Sequence, residues 1–254
     1  MTKPSDLDST QRFTDRVEDY IKARPSYPAE AIDFVIGQGL DHRSQIADIG
    51  SGTGILTELL LERVGRVYAV EPNDRMRAAA EARLGDSQGY VSVAATAEDT
   101  GLPDHSVDLV AAAQAFHWFD TQRALDEFRR ILRQPRRLAL IWNNRLNDTP
   151  FLNDYEALLQ AHGTDYRAVN HQQLKDDELA GLFSADFVLG RFDNQQRLDL
   201  EGLKGRLFSS SYTPMPGEPG YAEMASEIET IFDRHQKAGY VVIRYETQVY
   251  SGRI

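Results

Sequence analysis

The sequence predicts an α/β protein with a doubly wound, mostly parallel sheet and helical insertions. Two observations carry this. From 44 to 143, short apolar runs alternate with amphipathic stretches of about ten residues, the rhythm of right-handed βαβ crossovers. The first run, Ile46-Ala47-Asp48-Ile49, leads into Gly50-Ser51-Gly52-Thr53-Gly54 and then into a helical pattern. That order reads as a strand, a tight turn and a helix N-terminus, where backbone N–H groups are unpaired.

Each element has its own signal. Arg12 to Ala23 carries Phe13, Val17, Tyr20 and Ile21 at helical spacing and stops at Arg24-Pro25. Pro28 opens a second helix with Ala31, Ile32, Val35 and Ile36 on its apolar face. Strand 46–49, the glycine turn and a helix over 54–63 follow. The next strand, 66–71, ends in Glu71. Asn73 is the expected N-cap of a helix reaching Leu84, with Met76, Ala79, Ala80 and Leu84 inward. Strands follow at 90–94 and 107–113, the second apolar enough to be buried on both faces. A helix over 121–132 places Leu125, Phe128, Ile131 and Leu132 on one stripe, and a fifth strand runs over 137–142.

After Asn143 the rhythm changes. Phe151, Tyr155, Leu158 and Leu159 mark one helix; Met224, Ile228, Ile231 and Phe232 mark another. Residues 187–200 alternate in part like a strand, and 241–250 do so clearly, with Ile243, Tyr245, Thr247 and Val249 on one face. These two strands extend the sheet, with one antiparallel edge. Residues 144–185 and 200–238 then become insertions over the strand carboxyl ends, a lid or substrate wall. The expected division is 1–143 for the core with its leading helices and 144–254 for the insertions and closing strands. Pro214, Pro216, Gly217, Pro219 and Gly220 predict a loop over 209–220.

Composition narrows the classes. The chain has 254 residues and a formal charge of −11, which argues against an extended nucleic-acid surface. Cysteine is absent, excluding disulfides, thiolate metal sites and a cysteine nucleophile. His162 and His171 lack metal-ligand spacing, and no metal is expected. No run approaches a membrane span, and the first ten residues lack the apolar segment of a signal peptide, so a cytoplasmic protein is expected. Arg129, Arg130, Arg133, Arg136 and Arg137 fall on the outer face of a helix and the turn behind it.

The glycine turn is G-x-G-x-G, not the G-x-G-x-x-G of a dinucleotide site, and no Lys-Ser/Thr follows as in a P-loop. Asp48 precedes it, and an acid faces a cation more comfortably than a pyrophosphate. Glu71 ends the second strand, where a carboxylate accepts both hydroxyls of a ribose. Acid, glycine turn and acid fit S-adenosylmethionine: a nucleoside with a sulfonium, an amino group and no phosphate.

Five segments then resemble the class I S-adenosylmethionine-dependent methyltransferases, nearest to their small-molecule, trans-aconitate-methyltransferase-like branch. They are 20–28, 48–54, 70–73, 97–104 and Gln114-Ala115-Phe116-His117-Trp118-Phe119-Asp120. The resemblance implies a Rossmann-like sheet of seven strands, the last antiparallel, with a methyl donor bound and a small organic acceptor. By position, it implies that Asp48, Gly50, Ser51 and Gly52 hold the methionine part and Glu71 the ribose. Ala97 and Glu98 would flank the adenine, and Gln114 and Ala115 the methionine side. Tyr20 or Arg24 would close over the carboxylate end. His117 and Trp118 fall where the methyl should sit, His117 as a base or as a packing residue. Arg145, at the same rim, either grips a substrate carboxylate or is a solvated loop arginine. The family's Pro-Gly-Gly turn before the fifth strand is here Gln134-Pro135-Arg136-Arg137. A cofactor-binding protein without transfer, and an NAD-dependent oxidoreductase on a similar fold, stay open; the glycine spacing argues against the second. O-, N- and C-methylation, and the oligomeric state, stay open too.

Overall fold

The structure is a computed structural model describing residues 23–37, 39–164, 166 and 176–254. The helix expected over 12–23, with Tyr20, and His171 lie outside the described residues, except Ala23. In chain order the elements are α1 (Ala29–Ile36), β1 (Gln45–Ile49), α2 (Ile55–Leu61), β2 (Arg66–Val70), α3 (Asp74–Leu84), β3 (Tyr90–Val93), β4 (Val107–Ala113), α4 (Thr121–Ile131) and β5 (Leu132–Arg145). Then come α5 (Pro150–His162), α6 (Asp176–Ala180), β6 (Ala185–Leu198), α7 (Leu200–Phe208), α8 (Tyr221–His235) and β7 (Val241–Arg253). No helix among the described residues is long and apolar enough to cross a membrane.

One seven-stranded sheet runs in the order β3-β2-β1-β4-β5-β7-β6. β1 to β5 pair in parallel, and β7 pairs antiparallel with both β5 and β6. The antiparallel strand is therefore not an edge; β6 is. The order reverses between β1 and β4, and such a switch point opens a crevice beyond the strand carboxyl ends.

The alternation of each strand feeds two cores. Ala47, Ile49, Val110 and Ala112 face α4 through Ala124, Phe128 and Ile131. Ile46, Leu109, Ala111, Ala139 and Ile141 face α1 and α2. Helix ends follow the sequence: Asn73 Oδ1 accepts from the N–H groups of Arg75 and Met76, and Asp120 caps α4.

Two strands differ from their expected limits. β5 begins at Leu132, which pairs with Val107 before the register shifts. The expected turn thus lies inside the strand, with a cis Gln134–Pro135 bond and Arg136 at φ 62°. β7 reaches Arg253, and Thr247 to Gly252 are buried on either face, because both faces are covered: Val249 packs in the core of α1 and α2, Tyr250 in that of α4.

A third core joins α5, α7 and α8 to the start of β7 through Val241, Ile243 and Tyr245. Register fixes its place. Tyr245 lies opposite Arg145, the last residue of β5, and Val241 opposite Leu198, the last of β6. β6 and β7 therefore project past the carboxyl end of β5 and carry the helical module there. The loop after α7 is anchored, with Ser209, Ser210 and Thr213 buried.

Candidate functional site at the strand carboxyl ends

The glycine turn is pinned to β2: the N–H groups of Gly50 and Ser51 donate to Val70 O at 2.9 and 3.1 Å. A Cβ on Gly50 would stand 2.6 Å from Ala115 Cβ, so the turn meets the segment after β4. Gly52 differs: it holds φ +57°, and a Cβ there would meet nothing within 4 Å. Its Cα faces open space beside Glu71. Gln114 takes φ 56°, a conformation uncommon for a side-chain-bearing residue, while its N–H donates to Ile141 O at 2.9 Å.

Asp48 is 1% exposed. Its Oδ2 accepts from Thr57 Oγ1 at 2.6 Å, and its Oδ1 has no partner among the described residues. Burial, with a smaller contribution from the Glu71 charge, pushes its carboxyl up to about 7 against the opposing Thr57 hydrogen bond. A buried acceptor without a donor suits a cationic or N–H group arriving from outside the chain.

Glu71 is buried and accepts two backbone N–H groups, Gly52 to Oε2 at 2.9 Å and Asn73 to Oε1 at 2.8 Å. Burial raises its carboxyl pKa, with both backbone bonds opposing. The bonds orient the carboxylate and leave each oxygen further acceptor capacity, enough for a vicinal diol.

Ala97 is buried, and Glu98 is half-buried with Oε1 accepting from Asp120 N at 2.9 Å. Glu98 therefore also braces the start of α4. Phe116–Trp118 form a 3-10 turn in which His117 and Trp118 are half-buried, their ring centroids 5.0 Å apart. Arg24 Nη2 donates to Ser209 O at 3.0 Å, tying the chain before α1 to the end of α7.

Arg145 is the last residue of β5, not a loop residue, and its side chain is 10% exposed. Its guanidinium pairs with Glu156, donates to Tyr166 Oη at 3.2 Å and lies 4.8 Å from the centre of the Tyr155 ring. The outer arginines are occupied as well: Arg129 by Asp126, Arg130 by Glu127 and Asp104, and Arg133 by Asp108. His162 Nε2 is 2.9 Å from Glu227 Oε2. A cavity of about 380 Å³ beside Ser44, Asp108 and Arg137 lies at the strand amino ends, the wrong side for the crevice.

Sequence reading missed Thr57, Arg206 and the tyrosines around Arg145. Thr57 had a signal, a polar residue on the inward face of α2. The others are brought together only by the long reach of β6 and β7.

Comparison with known proteins agrees with this geometry. A family model described as a methyltransferase domain matches residues 47–140. An uncharacterized methyltransferase of Schizosaccharomyces pombe is 33% identical over 246 residues, covering 94% of this chain and 95% of that protein. One of Mycobacterium tuberculosis is 42% identical over 138 residues, and the match spans only about half of each, 54%. Among solved structures, the YcgJ protein of Bacillus subtilis superposes with a TM-score of 0.57 at 17% identity, covering 89% of this chain and 100% of that one. Phosphoethanolamine N-methyltransferase 2 of Haemonchus contortus, solved with phosphomonomethylethanolamine and S-adenosylhomocysteine, gives 0.58 at 14% identity, covering 100% of this chain and 60% of its own.

Proposed function

This chain belongs to the class I S-adenosylmethionine-dependent methyltransferase family, and from that premise we propose that it transfers a methyl group to a small organic acceptor. The observation that carries the reading is the pair Asp48 and Glu71 across Gly52. Among the described residues, one buried acid has an oxygen without a partner, the other has oriented acceptor sites, and no side chain fills the space at Gly52.

In this reading Glu71 accepts the ribose hydroxyls. Asp48, with the backbone of Gly50, Ser51 and Gly52, faces the amino and sulfonium end. Ala97 and Glu98 read the adenine edge; Gln114 and Ala115 line the methionine side; Tyr20 or Arg24 closes over its carboxylate. The bound cofactor supplies an activated methyl group. The chain has to align an acceptor atom in line with it and exclude water. His117 and Trp118, just beyond β4, wall the transfer point, and His117 takes a proton from an acceptor that must lose one. Residues 144–254 supply the acceptor side, with Arg145 at the rim.

Titration calorimetry with S-adenosylmethionine and S-adenosylhomocysteine tests this. Both are expected to bind with micromolar dissociation constants; absence of binding by either at high micromolar concentration would overturn it.

A further inference from the structure

Arg206 sits on α7 with 9% of its surface exposed. Its Nε donates to Tyr245 Oη at 3.1 Å and its Nη1 to Ser210 Oγ at 3.2 Å. Its Nη2 makes no hydrogen bond, and no carboxylate pairs with it, among the described residues. Arginine stays charged in proteins, and a buried charge without a counter-ion is costly.

Among the described residues, no neighbouring charge neutralises it. Arg145, opposite Tyr245 in register, is the second guanidinium of the cluster, and Glu156 is taken by it. Burial pushes the Tyr155 hydroxyl up to about 12 and raises that of Tyr166, so both stay neutral. Among the described residues, two guanidinia and one carboxylate meet here. The cluster adjoins the crevice in two ways. Arg145 ends the strand next to β4, and Arg24 grips Ser209, one turn beyond Arg206.

We propose that the unused side of the Arg206 guanidinium binds a singly charged carboxylate carried by the acceptor, making Arg206 a specificity-determining residue. The one open guanidinium edge of Arg206 calls for one carboxylate rather than a doubly charged phosphate monoester. A planar carboxylate also matches the guanidinium edge in shape. The proposal rests on the methyltransferase reading only in assigning the carboxylate to the methyl acceptor.

The test uses the full chain saturated with S-adenosylhomocysteine. Thermal shift and calorimetry are run with hexanoate, benzoate and phenylacetate, their matched primary amides, and phenyl phosphate. At least one carboxylate is expected to bind, with its amide and phenyl phosphate at least about tenfold weaker, the scale of a lost charge-assisted hydrogen bond. Arg206→Gln should lose this preference while keeping S-adenosylhomocysteine affinity, which reports that the variant is folded. Arg206→Lys should keep it in weakened form, and it serves alone if the Gln variant does not fold. Carboxylates binding no better than amides, stronger binding of phenyl phosphate, no carboxylate binding at all, or a preference unchanged in Arg206→Gln or, where that variant does not fold, in Arg206→Lys would each overturn it. Carboxylate binding without any binding of S-adenosylhomocysteine would instead count against the methyltransferase reading and leave the subsite standing.

Discussion

Thr57 Oγ1 donates a 2.6 Å hydrogen bond to Asp48 Oδ2, so the helix after the glycine turn reaches back to the strand before it. That bond opposes the burial that pushes the Asp48 carboxyl up to about 7. A group that meets a cationic ligand as a carboxylate must first lose its proton. Affinity for S-adenosylmethionine should therefore fall as pH drops through about 7, approaching tenfold per unit well below it. Calorimetry from about pH 8 to about 6 reads this; a flat profile would detach Asp48 from the cofactor.

Thr57→Val deletes the side-chain hydrogen bond that favours the charged form of Asp48 and keeps the smaller contribution of the Thr57 backbone. The midpoint of that pH profile should move upward, weakening binding at neutral pH, with a stability cost of about 1 kcal/mol. The shift of the midpoint, read on the same titration series, distinguishes this from a general loss of packing, which would lower affinity equally at every pH.

Asp48→Asn should separate stability from binding. The folded pKa of Asp48 lies well above the usual carboxylate range, at about 7, so the folded state holds the proton more tightly. Its contribution is complete below the unfolded pKa and is lost as pH rises through the folded one. Without cofactor, the wild type should lose on the order of 2–4 kcal/mol from this group by about pH 8. Asn carries no such loss, so the variant should be the more stable at about pH 8, nearly equal at about pH 4, and unable to bind tightly. Urea unfolding at both pH values checks it.

Gly52→Ala places a methyl group in open space at φ +57°. The backbone conformation should cost about 1–2 kcal/mol, leaving a folded protein, while cofactor affinity falls at least about tenfold. Gly50→Ala, which drives a Cβ to 2.6 Å from that of Ala115, should cost more stability, about 1–3 kcal/mol beyond the backbone cost. Thermal unfolding beside calorimetry resolves the two.

Glu156→Gln removes the carboxylate that pairs with Arg145 in a buried cluster. A loss of about 3–5 kcal/mol is expected, because two guanidinia are then left facing neutral phenols. The double substitution Arg145→Met, Glu156→Leu should recover most of it. Denaturant unfolding of the three variants tests whether breaking the pair or losing it matters.

The side proposed to bind the donor was readable from the chain because its parts are local. A strand, a glycine turn and a capped helix each carry their own pattern, and the acids follow strand ends that the apolar runs mark. Residues 48–54 and Glu71 needed only the parallel pairing of β1 and β2 to meet. The side proposed to bind the acceptor was not readable. Nothing near Arg206 in sequence indicates that it meets Tyr245, and nothing near Arg145 points to Glu156 and Tyr166. Those meetings depend on how far β6 and β7 extend and on which neighbour β7 chooses. The expected antiparallel edge erred for the same reason, since alternation reports which faces are buried but not the order of strands.

Because β7 lies between β5 and β6 yet follows both along the chain, β6 has no sheet partner until residues 241–253 are made. During synthesis the five parallel strands can assemble first, while roughly a hundred residues wait undocked. In the proposed reading, the half assigned to the methyl donor should thus mature before the half assigned to the acceptor. Slow translation or chaperone capture between those two moments would leave a nascent chain holding its donor with no acceptor site.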